Sequence, residues 1–192
     1  LITEGRTEYD VYSTAAKKLQ RLHPERSCSF DLLGIALVQA NTDTQVAPLG
    51  EYYKKMGKTV YAIFDKQDDD IRKKIEVAVD YPYEATEHGI EDVVLKGVNQ
   101  DTLLKYGLKL VEDNEWPSNL SAETPREGMK FEELYKTMKA FFKHKKGDGA
   151  LAELIEYCSE SEMPQFITET IFAIEKSVNS LRAVSVMTEG EV

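Results

Sequence analysis

The residues of this chain that could do chemistry are acids placed just behind short apolar runs. Leu1-Ile2-Thr3 leads into Glu4, and Gly5-Arg6-Thr7 separates that glutamate from Glu8. A glycine between the two acids permits a tight turn, so Glu4 stands at a strand end and Glu8 in the first turn of the following helix, and both carboxylates point to one place. A second apolar run, Thr59-Val-Tyr-Ala-Ile-Phe64, ends at Asp65, with Gln67, Asp68, Asp69 and Asp70 behind it. Hard divalent cations such as Mg2+ or Mn2+ take oxygen ligands in near-octahedral order and keep several waters, so two or three carboxylates from different loops are the protein contribution such an ion needs. Taken alone, the Glu4/Glu8 spacing also suits acids that complement a helix dipole, and Asp69 and Asp70 are read that way, as helix-starting acids. It is the pair of strand-ending acids, Glu4 and Asp65, that carries the metal-site reading.

These acids must be positioned by regular elements. Val11, Ala15, Leu19 and Leu22 recur at helical spacing ahead of Pro24, which predicts a helix over about Glu8 to His23. The run Asp31 to Ala40 is nearly all apolar and predicts a strand buried on both faces. Asn41-Thr42-Asp43-Thr44 caps a helix that runs to about Met56 and stops at Gly57. Thr59 to Phe64 is the next strand, and the acidic stretch after it opens a helix through about Val79. Alternating strands and helices predict an α/β fold with a mostly parallel sheet flanked by helices. Ligands gather at the carboxyl ends of strands in such sheets, where Glu4 and Asp65 both fall.

Beyond Tyr83 the pattern turns helical, with segments expected near Glu91–Leu95 and Thr102–Glu112. Trp116 to Pro125 is a Pro/Ser-rich loop, and three more helices follow at about Phe131–Lys145, Gly149–Ser159 and Pro164–Arg182. The last carries Ile167, Ile171, Ile174, Val178 and Leu181 as an apolar stripe, read as core or subunit contact. The expected organisation is a core over residues 1–115, a loop over 116–130, an appended C-terminal helical subdomain over 131–184, and a frayed tail from Ser185 to Val192.

A net charge of −10 repels nucleic acid from most of the surface, so any contact with DNA must be local. One local candidate exists. Lys136, Lys139, Lys143 and Lys146 are spaced three, four and three residues apart, along one face of a helix and its exit, and Lys145 lies beside them. Six lysines face only two glutamates between Lys130 and Lys146, a stripe able to follow a DNA backbone without reading sequence. Its plain alternative is a solvated helix face. His88 sits between Glu87 and Glu91 and could bind a metal or orient a water, though a lone exposed His is more often incidental; His23 and His144 read as surface residues. Gly147-Asp148-Gly149 lacks the Lys-Ser/Thr of a P-loop, and Asp148 reads as a helix N-cap. Cys28 and Cys158 lie far apart without CxxC spacing, which fits a reducing, cytoplasmic compartment and no structural zinc. Asn119-Leu120-Ser121 is read as a chance glycosylation triplet, no apolar run approaches the roughly 20 residues of a membrane span, and the abrupt start at Leu1 reads as a piece of a longer polypeptide.

Taken together these elements resemble the Toprim (topoisomerase/primase) nuclease domain, and most closely that of the OLD (overcoming lysogenization defect) family of ATP-dependent endonucleases, the Gabija-like ones included. Leu1-Ile-Thr-Glu-Gly-Arg-Thr-Glu8 is similar to the family's hydrophobic-E-G-x-[ST]-E element, and Ile63-Phe-Asp-Lys-Gln67 to its strand-ending D-x-D. Glu87-His-Gly-Ile-Glu91 is similar to a later acidic cluster, and Lys146-Gly-Asp-Gly-Ala150 to a K-G-x-x-A element; the four occur in the family's order over about residues 1–155. The resemblance implies a DNA endonuclease with two Mg2+ or Mn2+ ions, Glu4 and Asp65 holding one and Glu8 with Glu87 or Glu91 the other. Such ions, roughly 3.5–4 Å apart, activate water and stabilise the leaving oxygen, while Lys146 offsets charge on the phosphate. It further implies an amino-terminal ATPase domain outside this chain, through which alone ATP would act, and a homo-oligomer in phage defence or DNA processing. The chain departs from the family at Gln67, where a second aspartate is expected; Asp68 stands next to it as a replacement ligand.

Two other functions fit parts of the sequence. A haloacid-dehalogenase-like phosphatase also ends an apolar strand in an aspartate, as at Phe64-Asp65-Lys-Gln-Asp68, but it leaves the Glu4/Glu8 pair without a role and needs a downstream GDxxxD that is missing after Gly147-Asp148. A degenerate Toprim domain that binds DNA or a partner without cutting is the reading that Gln67 motivates.

Overall fold

A strand with no polar position must be covered on both sides, and Tyr61–Phe64 is buried at all four residues. In the computed structural model, which describes the backbone of residues 1–189 and the side chains of 1–183, this strand is β3 of a four-stranded sheet. The others are β1 (Ile2–Thr3), β2 (Val38–Gln39) and β4 (Tyr81–Glu84), in the order β2-β1-β3-β4 and parallel throughout. Alternation splits the central strands between two cores. Leu1, Tyr61 and Ile63 enter one, with α1 (Arg6–Leu22) and the later helices; Ile2, Val60, Ala62 and Phe64 enter the other, with residues of α2 (Asp43–Lys55) and α3 (Asp69–Ala78). The chain is therefore an α/β protein with helices on both faces of a parallel sheet.

Its connections leave the centre in opposite directions. From β1 the chain crosses by α1 to the edge strand β2, returns by α2 to β3, and leaves by α3 for the other edge at β4. The gap between the carboxyl ends of β1 and β3 is the point where strand order reverses, the crevice in which open α/β sheets bind ligands.

Three expectations are corrected. The apolar run Asp31–Ala40 is not a buried strand: only Val38–Gln39 pairs, because Gly34 takes φ +69 in a turn closed by bonds from Leu33 N to Ser29 O and Gly34 N to Asp31 O. Leu32 is 62% exposed, so unbroken hydrophobicity there reflects a turn with one buried anchor, Leu33. Strand β4 escaped notice because Pro82 sits inside it; proline is tolerated on an edge strand, and Tyr81 stacks on Tyr61 at 4.7 Å between ring centres. The tail expected from Ser185 is helical as far as Glu189, since no glycine or proline follows Pro164 until Gly190; residues 190–192 lie outside the described ones.

Beyond the sheet come α4 (Ile90–Gly97), α5 (Gln100–Glu112), α6 (Phe131–His144), α7 (Ala150–Tyr157) and α8 (Gln165–Glu189), with a 3₁₀ turn over Glu160–Glu162. Residues of 131–178 share one continuous hydrophobic cluster with α1 and α4, and Ile167, Ile171, Ile174 and Val178 are its contribution from α8. Residues 116–130 thus divide the chain without dividing the core. Among the described residues no helix is long and apolar enough to cross a membrane.

A buried lysine ties α1 to α7. Lys18 is 7% exposed and donates to the carbonyls of Ile155, at 2.9 Å, Glu156 and Cys158, closing the C-terminal end of α7 that would otherwise leave orphan acceptors. Lys18→Met is expected to cost about 3 kcal/mol in urea denaturation, because it strands these carbonyls in a dry interface; an unchanged midpoint would show that water replaces the ammonium.

Candidate metal centre

Glu4 follows β1 and Asp65 follows β3, so adjacent parallel strands deliver two carboxylates to the switch point. Glu4 is fixed there by two donors on the same oxygen: the Asp65 backbone N–H at 3.2 Å and the Gln67 side-chain amide at 3.2 Å. Glu8 and Glu91 occupy the first turns of α1 and α4, and each is only 8% exposed. An acid that merely complements a helix dipole has no reason to leave solvent, so burial separates these two from the helix-starting acids Asp69 and Asp70, which are exposed. Gly5 admits Glu8: a Cβ at that position would lie 2.8 Å from Glu8 Oε2.

The charges are badly balanced. Burial, then the fields of Glu4, Glu8 and Glu91, push the Asp65 carboxyl up to about 8, with Lys146 opposing. Burial also raises Glu8, reinforced by Glu4 and Glu91 and opposed by Lys146. Glu4 is raised by burial and by Asp43 at the start of α2, against the lowering effect of the Asp65 N–H, Lys146 and Gln67. Four carboxylates thus interact in one half-buried crevice, with the Lys146 ammonium opposing them. This uncompensated set of hard oxygens fits a divalent cation, which binds oxygen and lowers the pKa of its ligands. Among the described residues no group of three or more His, Cys, Asp or Glu side chains is placed to hold a metal ion.

Other residues singled out from the sequence fall outside this cluster. Glu87 points to Lys96 in an ion pair at 2.6 Å, which leaves Glu91 as the member of the 87–91 segment that faces Glu8 and Asp65. Asp68 is exposed at the N-terminus of α3. His88 is exposed and donates Nδ1–H to the Lys66 carbonyl at 3.0 Å. His23 bonds Glu160 at 2.7 Å. Of the lysines, Lys136, Lys143 and Lys146 are exposed, whereas Lys139 is held by Asp92 at 2.5 Å and Lys145 lies 3.9 Å from Asp148. The stripe is therefore not four free cations. Asp148 also does not cap α7 as expected; Gly149, at φ +84, occupies that position, because the left-handed turn at Gly147 and Gly149 is open only to glycine without strain.

Glu84 was not legible from the sequence. At the end of β4 its carboxylate accepts from the Gln67 backbone N–H at 2.9 Å and lies 3.8 Å from Arg72, and Lys66 N–H donates to the Glu87 carbonyl at 2.9 Å. These bonds hold the loop after Asp65 against the loop after β4. The signal was present, an acid closing the Tyr81–Glu84 run, but Pro82 masked the strand.

The Gln67 amide donates to an oxygen that a cation would need, so it competes with metal. Gln67→Asp is expected to raise Mn2+ affinity about tenfold, in line with the cost of changing such neighbours, and to lower the metal-free melting temperature by adding repulsion beside Glu4. Isothermal titration and thermal melts together check this; an affinity left unchanged would place residue 67 outside the metal's reach.

No family model matches the chain, and no curated protein or solved structure shows a significant match to it.

Proposed function

We propose that this chain is a Toprim-like, divalent-metal-dependent DNA endonuclease domain. The observation that carries the reading is the convergence of Glu4, Glu8, Asp65 and Glu91, with Lys146 in their field, at the switch point of a parallel sheet. Glu4 and Asp65 would hold one Mg2+ or Mn2+, and Glu8 with Glu91 would serve a second. Such ions, when bound, supply a nucleophilic water and Lewis-acid stabilisation of the leaving oxygen.

The chain's own residues have separable parts. The carboxylates would hold the cations, the bonds of Gln67 to Glu84 and Glu4 hold the loop that presents Asp65, and the Lys146 ammonium would offset negative charge on a phosphate. Lys136 and Lys143 on α6, exposed on the same chain segment that delivers Lys146, offer backbone contacts that position DNA without reading its sequence. In keeping with the resemblance, the domain would work beside an ATPase domain outside this chain, in a cytoplasmic homo-oligomer. The phosphatase reading keeps only Asp65 and leaves Glu4 and the buried Glu8 and Glu91 unexplained.

Nicking of supercoiled plasmid with Mg2+ or Mn2+ tests the proposal, beside Glu4→Ala and a p-nitrophenyl phosphate control. Cleavage that requires metal and Glu4 supports it. Intact plasmid under both metals, or turnover of the phosphate ester alone, overturns it.

A further inference from the structure

A buried hydroxyl near the acids lacks a partner. Thr7, in the first turn of α1, is 8% exposed, and its Oγ1 has no hydrogen bond among the described residues. Glu91, in the first turn of α4, is covered to the same degree as a residue. Both line the same narrow cavity, together with Lys146, Gly147 and Gly149. A buried hydroxyl left without a hydrogen-bond partner is destabilising, so a group that bonds it is favoured there.

The size of the cavity decides what it accepts. It measures about 10 Å³, the room needed by one water and several-fold too small for a phosphate group or a hydrated cation. A water needs two to four polar partners, and Thr7 Oγ1, the Glu91 carboxylate and the Lys146 segment supply them.

We infer that Thr7 is a positioning residue, whose hydroxyl holds one buried water and through it orients Glu91 toward Glu8 and Asp65. The water accepts from or donates to Thr7 Oγ1 and donates to a Glu91 oxygen, which leaves the other oxygen of Glu91 for a cation. This rests on the metal-centre reading, and it assigns to the residue between Glu4 and Glu8 a task distinct from helix packing.

Thr7→Val keeps the shape and removes the hydroxyl, while Thr7→Ser keeps the hydroxyl. Mn2+ titration should show a 10- to 100-fold loss of affinity in Thr7→Val with its melting temperature preserved, and Thr7→Ser should bind within about threefold of the parent. Equal affinity in Thr7→Val overturns the inference, as does an equal loss in both variants, which would assign the effect to the methyl group. If the parent chain binds no Mn2+, the metal-centre reading fails by itself, and a high-resolution crystal structure decides on Thr7: a water between Thr7 and Glu91 in the parent and Thr7→Ser but not in Thr7→Val upholds its role, and no water there overturns it.

Discussion

Replacing Asp65 with Asn is expected to stabilise the metal-free chain at pH 8.5 and to remove most of its pH dependence. The Asp65 carboxyl titrates at about 8 in the fold against 3.8 when unperturbed. Below pH 4 both folded and unfolded chains carry the proton. Between about pH 4 and 8 the unfolded chain gives it up while the folded one keeps it, so stability falls as pH rises, and above 8 the full penalty is in force. Glu4 and Glu8, also raised, act in the same direction. The full shift would correspond to roughly 6 kcal/mol, but Asp65 is only half-buried and solvent screening reduces this to the order of 2 kcal/mol. That is a fall of roughly 4–8 °C in melting temperature from pH 5 to pH 8.5 for a chain of this size. Scanning calorimetry across that range checks it. Mn2+ should restore the loss in the parent and do little for Asp65→Asn; a parent whose melting temperature is flat or rises with pH would show that the acids are solvated and not in conflict.

The second large effect concerns Lys146. Removing one preorganised charge that meets a developing phosphate charge typically lowers kcat by 10²–10³, so Lys146→Ala should nick plasmid that much more slowly under saturating metal. Lys143→Ala, one turn earlier on an exposed part of α6, should instead weaken DNA binding and its salt dependence with little change in the rate at saturating DNA. Single-turnover cleavage separates the two. Equal losses would make Lys146 another backbone contact and withdraw its place beside the acids.

Binary pattern was sufficient for much of the architecture. Tyr61–Phe64 is buried on both faces because it has no polar position, and α1 forms because its apolar residues recur every three or four positions and stop before Pro24. Where local pattern and context disagreed, context prevailed. The run at Asp31–Ala40 looks more strand-like than Tyr81–Glu84, yet Gly34 bends the first into a turn and an open edge beside β3 accepts the second with its proline.

The juxtaposition of Glu4 and Asp65 was legible because strand-ending acids in a parallel sheet share one end by topology alone, and Glu8 follows one helical turn behind Glu4. The sequence by itself therefore determined which acids could meet. Only the tertiary structure decided which of the later ones lie near them: Glu87, in the bend before α4, pairs with Lys96, whereas Glu91, in the first turn of α4, is buried with its charge acting on Glu8. The same holds for Lys139, equivalent to its neighbours in spacing but neutralised by Asp92, and for Thr7, whose hydroxyl acquires a meaning only from the cavity that α1, α4 and the Lys145–Gly149 turn enclose. Charge and spacing along a chain are local properties; which charges face one another in a low-dielectric crevice depends on packing across the whole fold.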